Sequence, residues 1–170
     1  SAVTLITWGM FGACTLAVAL TLYVAKQRHS FGPLFTLFCL TTALWSFGNG
    51  MELLSSTLAA KTFWAKVQYV GIAPLAPLWL ICRYTDSWKP FQKYLSLFYI
   101  VSVLTIGLIW TNDVHHWVWS ATSLDETTGL VHYSHNFWFT AVHVPYNYLI
   151  LGLTLLVLTR AFWNAQRAQR

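Results

Sequence analysis

The sequence predicts an all-α membrane protein, a bundle of about five transmembrane helices with a short β-hairpin on its extracytoplasmic side. Hydrophobic residues make up 56% of the 170 residues and charged residues 9%, whereas soluble domains carry about 25% charged residues. The hydrophobic residues also gather into five long runs that polar segments separate. Much of the surface of this protein must therefore face lipid instead of water.

Each run has close to the length of about 20 residues that a helix needs to cross the hydrocarbon core. The first is too long for a signal peptide and is followed by further runs. We expect one domain, residues 1–170, with an outer loop over residues 111–138. Its spans are placed at residues 2–25, 31–54, 63–84, 94–110 and 139–163.

The lysines and arginines orient the bundle, because cytoplasmic loops carry an excess of them. Two of the ten, Lys61 and Lys66, lie at one side, and the outer loop has none. We therefore expect the N-terminus outside and the C-terminus in the cytoplasm, in the inner (cytoplasmic) membrane. The eight on the cytoplasmic side are Lys26, Arg28, Arg83, Lys89, Lys93, Arg160, Arg167 and Arg170.

The net charge of +5 does not indicate a nucleic-acid partner. The basic residues lie at the ends of apolar runs and form no single patch, so the lipid bilayer is the expected partner. The cysteines Cys14, Cys39 and Cys82 lie in or beside apolar runs, where packing thiols are expected instead of disulfides.

The outer loop has the pattern of a β-hairpin. Residues 117–120 and 130–133 alternate in the manner of strands, and Asp125 to Gly129 has the composition of a turn. Two strands alone are marginally stable, so the hairpin must rest on the bundle. We expect four aromatic side chains at headgroup depth, namely Trp117, Trp119, Phe137 and Trp138.

Polar side chains inside the spans are the candidate site, because such groups usually face the bundle interior. Trp45, Gly48, Asn49 and Glu52 share one helix face, and Gly48 and Gly50 allow close helix approach. These groups could join helices by hydrogen bonds, form a ligand pocket, or line a proton or ion path. The pocket candidates are Trp45, Asn49, Glu52, Gln68, Tyr69, His115, His116, Tyr146 and Asn147.

The third run contains Pro74 and Pro77, and each proline removes a backbone donor. We expect a kink near the middle of the membrane, which neighbouring helices stabilise by bonding the freed carbonyls. The kink is either a packing bend or a functional hinge.

Five of the six histidines lie on the outer side, and imidazole is a common metal ligand. No cysteine or acidic triplet completes a zinc spacing, and no spacing singles out a haem pair, so we expect no metal and no cofactor. Nucleophile elbows, phosphate loops, paired catalytic carboxylates and HExxH are absent from the sequence as well. The sequence therefore predicts that the protein has no catalytic activity of its own.

Four segments in order along the chain carry a family resemblance: ALWSFGNGMELLS, AKTFWAKVQYVGIAPLAPLWLICRYT, IWTNDVHHWVW and GLVHYSHNFWFTAVHVPYNYLILGL. Together they resemble the N-terminal seven-transmembrane sensor region of bacterial histidine kinases and some diguanylate cyclases. The resemblance covers most of Thr41 to Arg167. It implies a signal-receiving role. The family would continue past Arg170 with two further spans and a cytoplasmic output domain, so we expect either a fragment or a shorter protein that keeps the sensor-like part.

The sequence leaves three candidate functions. The first is a sensor module of a two-component system that responds to a small outer-side ligand or to the membrane. The second is a structural or accessory subunit held by other membrane subunits. The third is a membrane enzyme or haem protein. The resemblance favours the sensor.

Overall fold

A computed structural model describes residues 2–26, 32–84 and 97–168. The predicted loops around Arg28 and Lys89 lie outside these described residues. The elements in chain order are α1 (Ala2–Lys26), α2 (Gly32–Leu54), α3 (Leu58–Tyr84), α4 (Phe98–Trp110), the one-turn helix α5 (Asn112–His115), β1 (Trp119–Leu124), β2 (Val131–His135), a π-helical turn (Trp138–His143) and α6 (Val144–Ala168).

All five apolar runs are helical where they are described, but they differ as candidate spans. Among the described residues, three helices are long and apolar enough to cross a membrane: α1, α2 and the helix Trp138–Asn164. Helix α3 has 27 residues but carries Lys61, Lys66 and Gln68 in its outer part. Helix α4 has 13 residues and is about 20 Å long, against a hydrocarbon core of about 30 Å. The membrane fold is supported, and the count of five spans stays a prediction.

Large apolar side chains cover the outside of the helices. Leu5 of α1 is 77% exposed and Leu156 of α6 is 68% exposed. Helix α1 packs mainly against α2, which leaves most of its surface uncovered. A surface of this kind is stable when lipid covers it.

Helix α3 is the central element and packs against α2, α4 and α6. Its contact with α2 depends on glycine, because a Cβ atom on Gly71 would lie 2.5 Å from the carbonyl oxygen of Thr41. A Cβ on Gly48 would lie 2.8 Å from Cγ of Gln68, and one on Gly50 would meet Phe11 of α1. The predicted close approach at Gly48 and Gly50 is confirmed, while Gly71 was not singled out in the sequence.

The two prolines lie inside α3, which is helical through both. Pro77 has no N–H to donate to the carbonyl of Ala73, four residues earlier. That carbonyl instead accepts a hydrogen bond from the hydroxyl of Ser102 on α4, at 2.6 Å. A neighbouring helix thus satisfies a carbonyl that proline frees, as the sequence predicts. The kink itself stays a prediction.

Removing the Ser102 hydroxyl is expected to destabilise the bundle only while Pro77 is present. Ser102→Ala leaves the buried carbonyl of Ala73 unbonded, which costs about 1–3 kcal/mol. In a Pro77→Ala background the restored N–H bonds that carbonyl, so the same change should cost much less. Unfolding in detergent measures both, with Thr15→Val as the control because its hydroxyl only supplements its own helix. Equal losses in the two backgrounds would contradict this pairing.

The predicted hairpin is present, with β1 antiparallel to β2. Strand β1 begins at Trp119 and strand β2 ends at His135. Both strands are therefore shifted along the chain and are longer than the sequence pattern indicates. Gly129 ends the turn with a φ of 68°, a left-handed conformation that favours glycine. Asp125 accepts hydrogen bonds from the hydroxyls of Thr127 and Thr128, which lower the pKa of its carboxyl to about 2.

Trp119 faces the interior of the bundle and not the lipid, and its expected position at headgroup depth stays a prediction. Its side chain is 2% exposed and packs against Tyr69 and Ala65 of α3. Asn112 fixes this position: its Oδ1 accepts from the backbone N–H groups of Val118 and Trp119 at 3.0 and 3.1 Å. Its Nδ2 donates to the carbonyl of Trp119 at 3.0 Å. This clamp turns the first strand residue towards the bundle.

The other three aromatic residues expected at headgroup depth differ in the exposure of their side chains. Trp117 is 46% exposed and Phe137 is 48% exposed. Trp138 is partly buried, and its indole N–H donates to the hydroxyl of Thr105 on α4 at 3.0 Å. The hairpin therefore rests on α3 and α4, which supply the support that two strands need.

Candidate functional site

A hydrogen-bonded group, here called the outer network, joins α2, α3 and β2. The carboxylate of Glu52 accepts from Nε2 of Gln68 at 2.5 Å and from the hydroxyl of Tyr133 at 2.7 Å. Nδ2 of Asn49 donates to Oε1 of Gln68 at 3.3 Å. Burial and the carboxylate of Glu52 raise the pKa of Tyr133, so its hydroxyl stays protonated and donates.

Two lysines of α3 are also bonded. Lys61 is 3% exposed, and its ammonium donates to the backbone carbonyl of Glu52 at 2.9 Å. Lys66 is 8% exposed and forms an ion pair with Asp113 at 2.6 Å. These contacts extend the outer network from α2 and α3 to the one-turn helix α5.

The predicted neighbours Asn49, Glu52 and Gln68 are thus brought together. Both carboxylate oxygens of Glu52 bond to groups on other elements, which fits the interpretation that the cluster joins helices. Tyr133 was not among the sequence candidates. The alternation in its strand could place it on the bundle side, but no local signal names its partner on α2.

A separate cavity of about 640 Å³ lies between α2, α3 and the π-helical turn with α6. It is called the lateral cavity here. Three predicted pocket residues line it: Trp45, Tyr69 and Asn147. The remaining lining residues are Phe38, Thr42, Ile72, Leu75, Ala76, Trp79, His135, Phe139, His143, Val144, Tyr148 and Leu151.

The hairpin end of the lateral cavity carries the polar groups. His143 is 5% exposed, and the amide nitrogen of Asn147 lies 3.2 Å from its Nδ1. The ring of Tyr69 lies 5.7 Å from that of His143. His135 stacks on Phe139 at 3.7 Å, and partial burial and the nearby His132 lower the pKa of its imidazole.

The structure does not bring Tyr146, His115 and His116 to either place. The hydroxyl of Tyr146 donates to the carbonyl of Phe98, at the start of α4. His115 bonds Thr111, and His116 ends helix α5 with a φ of 57°. Successive helical residues point about 100° apart, so Tyr146 and Asn147 face different neighbours.

Metal ligands do not gather in the part of the chain that the structure describes. No three His, Cys, Asp or Glu side chains come together there in a geometry that could hold a metal ion. Cys39 is buried and Cys14 is partly buried, both as free thiols. The site is therefore one of hydrogen bonds and aromatic contacts among the described residues.

The described residues thus form a bundle of apolar helices with a hairpin bonded to one of its ends. Among sequence families, the one described as the N-terminal 7TM region of histidine kinase matches residues 10–170. This chain belongs to that family. Comparison with curated proteins and with solved structures finds no match.

Membership of the histidine kinase 7TM region confirms the resemblance seen in the four sequence segments. It makes the chain a membrane-embedded sensor region in a lipid environment. The family model covers the outer network and the lateral cavity alike, since both lie within residues 10–170.

Proposed function

We propose that this chain is the signal-sensing input region of a bacterial histidine kinase, responsive to a ligand or to the membrane and without catalytic activity of its own. Its output domain is cytoplasmic. The observation that carries the proposal is the outer network, because it bonds the hairpin to α2 and to α3. Helix α3 runs from this network to Arg83 near its other end, which the proposed orientation places on the cytoplasmic side.

The proposed mechanism uses α3 as the moving element. A signal at the outer side changes how the hairpin bonds Glu52, and α3 pivots at Pro74 and Pro77, where backbone hydrogen bonds are missing. A ligand can shift such an equilibrium only by its differential affinity for the two states. The proposed ligand contacts are the predicted residues that lie at the two centres. These are Asn49, Glu52 and Gln68 in the outer network and Trp45, Tyr69 and Asn147 in the lateral cavity.

The hinge is tested in the full-length protein in lipid nanodiscs, by its autophosphorylation. Pro74→Ala with Pro77→Ala should straighten α3 and lock the kinase in one state, either high or low. Pro33→Ala is the control, because proline in the first turn of a helix removes no helical hydrogen bond. If the double variant autophosphorylates at the wild-type level and remains regulated, the prolines contribute to packing only.

The alternative function is an accessory subunit of a larger membrane assembly. The complete gene separates the two, since a sensor continues into a kinase domain and an accessory subunit does not. A gene product that lacks any output domain would overturn the kinase proposal.

We further propose five spans with the N-terminus outside the inner membrane and the C-terminus in the cytoplasm. The eight-to-two distribution of Lys and Arg supports this orientation. The bonds of Lys61 and Lys66 support it further, because both outer-side lysines have partners within the protein.

Cysteine labelling in intact cells tests the orientation, after the three native cysteines are replaced. A cysteine at Thr127, in the hairpin turn, should react with an impermeant maleimide added outside. A cysteine at Gln166 should react only after the membrane is permeabilised. The opposite pattern would reverse the proposed topology.

A further inference from the structure

The lateral cavity is polar at one end and apolar along the rest of its length. His135, His143 and Asn147 lie at the hairpin end. From Tyr69 the cavity follows α3 to Trp79, ten residues further on, which is about 15 Å at 1.5 Å per residue. A cavity of this shape fits a molecule with a small polar head and an apolar tail.

The lining also indicates the charge of that head. No Asp, Glu, Lys or Arg is among the described residues that line the cavity. Lys61 and Lys66 are the two lysines nearest in sequence to the lining residue Tyr69, and both bond to groups outside the cavity. A carboxylate or phosphate head would be buried there without a counter-charge, which is unfavourable. The head is therefore uncharged.

The residues around the head favour a planar group. Tyr69, His135, Phe139 and His143 present rings there, and aromatic rings bind other rings by stacked or edge contacts. The amide of Asn147 donates to the backbone carbonyl of His143 at 2.7 Å and lies 3.2 Å from Nδ1 of its ring. With Nδ1 as the acceptor of that amide, the N–H at Nε2 of His143 is the donor for a carbonyl. The volume of about 640 Å³ lies within the range of about 300–1,000 Å³ that small-molecule sites occupy.

We propose that the lateral cavity binds an uncharged, lipid-soluble molecule with a planar, carbonyl-bearing head and an apolar tail, of the prenylated quinone class. It enters sideways from the bilayer and places its head at His143 and Asn147. As the signal of a kinase input region this ligand rests on the proposed function, whereas its binding rests on the cavity alone.

The cavity also contacts the outer network through a short series of rings. Tyr69 lies 5.7 Å from Trp119, and Trp119 lies 4.6 Å from Tyr133. The hydroxyl of Tyr133 bonds Glu52. A head group against Tyr69 is therefore in position to change how the hairpin sits on α2.

Photolabelling of the full-length protein in phosphatidylcholine nanodiscs tests the site. The probe is an azido-benzoquinone with a decyl tail, and labelled peptides are mapped by mass spectrometry. We expect labelling on the segment around His143 and near Trp79, and competition by decylubiquinone but not by decanoate. Leu151→Trp fills the cavity and should reduce this labelling by about tenfold.

Leu149→Trp is the matched control, since Leu149 lies two residues away and is 70% exposed. It should label as the wild type does. Three results would overturn the proposal: labelling that no quinone displaces, equal competition by decanoate, or cross-links that place another helix of the protein in the cavity. Autophosphorylation is not part of this readout, so loss of binding and loss of kinase control are separate results.

Discussion

Replacing Gly71 with alanine is expected to have the largest effect on the stability of the bundle. The new Cβ would lie 2.5 Å from the carbonyl oxygen of Thr41 and 2.8 Å from the backbone nitrogen of Trp45. Both atoms belong to the backbone of α2, so no side chain can move aside and the two helices must separate. We expect a loss of about 3 kcal/mol or more, the upper end for overpacked cores.

The matched control for Gly71→Ala is Gly152→Ala on α6, where an added Cβ meets no atom within 4 Å. This change should leave stability unchanged or raise it slightly, because alanine is the better helix former. Thermal unfolding in detergent measures both variants. Equal stabilities of the two would show that α2 and α3 are not held at the close distance described.

Glu52→Ala is expected to have the second largest effect. It leaves the donors of Gln68 and Tyr133 without their acceptor, and each orphaned buried donor costs roughly 1–3 kcal/mol. The total expected loss is about 2–6 kcal/mol. Glu126→Ala, in the exposed turn of the hairpin, is the control and should have little effect.

A double-mutant cycle shows whether these losses come from one network. Gln68→Ala and Tyr133→Phe should each destabilise the protein, and each should add little once Glu52 is already alanine. Tyr148→Phe, at a residue that is 72% exposed, is the tyrosine control. Strictly additive losses would mean that Glu52 does not bond these two side chains.

The helices and the hairpin could be predicted because their signals are local. Apolar runs of membrane length predict helices, and alternation around a Gly-containing turn predicts a hairpin. The pair of Glu52 and Gln68 could be predicted as well, since a short connection joins the ends of α2 and α3 and places them at the same depth. The prolines likewise predicted that a backbone carbonyl of α3 lacks its helical N–H donor and is bonded by a neighbouring helix.

The rest of the candidate site depends on contacts between distant residues. Tyr133 bonds Glu52 across 81 positions of the chain, and Ser102 bonds Ala73 across 29. Asn112 turns Trp119 inwards through backbone bonds that no periodicity reveals. The π-helical turn changes the rotation of the last helix relative to a regular α-helix, so which of Tyr146 and Asn147 faces the cavity could not be read from spacing.

The central claim is that the outer hairpin controls a cytoplasmic kinase through α2 and α3. Autophosphorylation of the full-length protein in nanodiscs tests it most directly, with Tyr133→Phe compared against Tyr23→Phe on α1, at a residue that is 63% exposed and lies outside both the outer network and the lateral cavity. Tyr133→Phe removes one hydroxyl that bonds the hairpin to Glu52, and we expect it to change the phosphorylation rate by about fivefold or more. Folded protein that phosphorylates at the wild-type rate in both variants would contradict the claim.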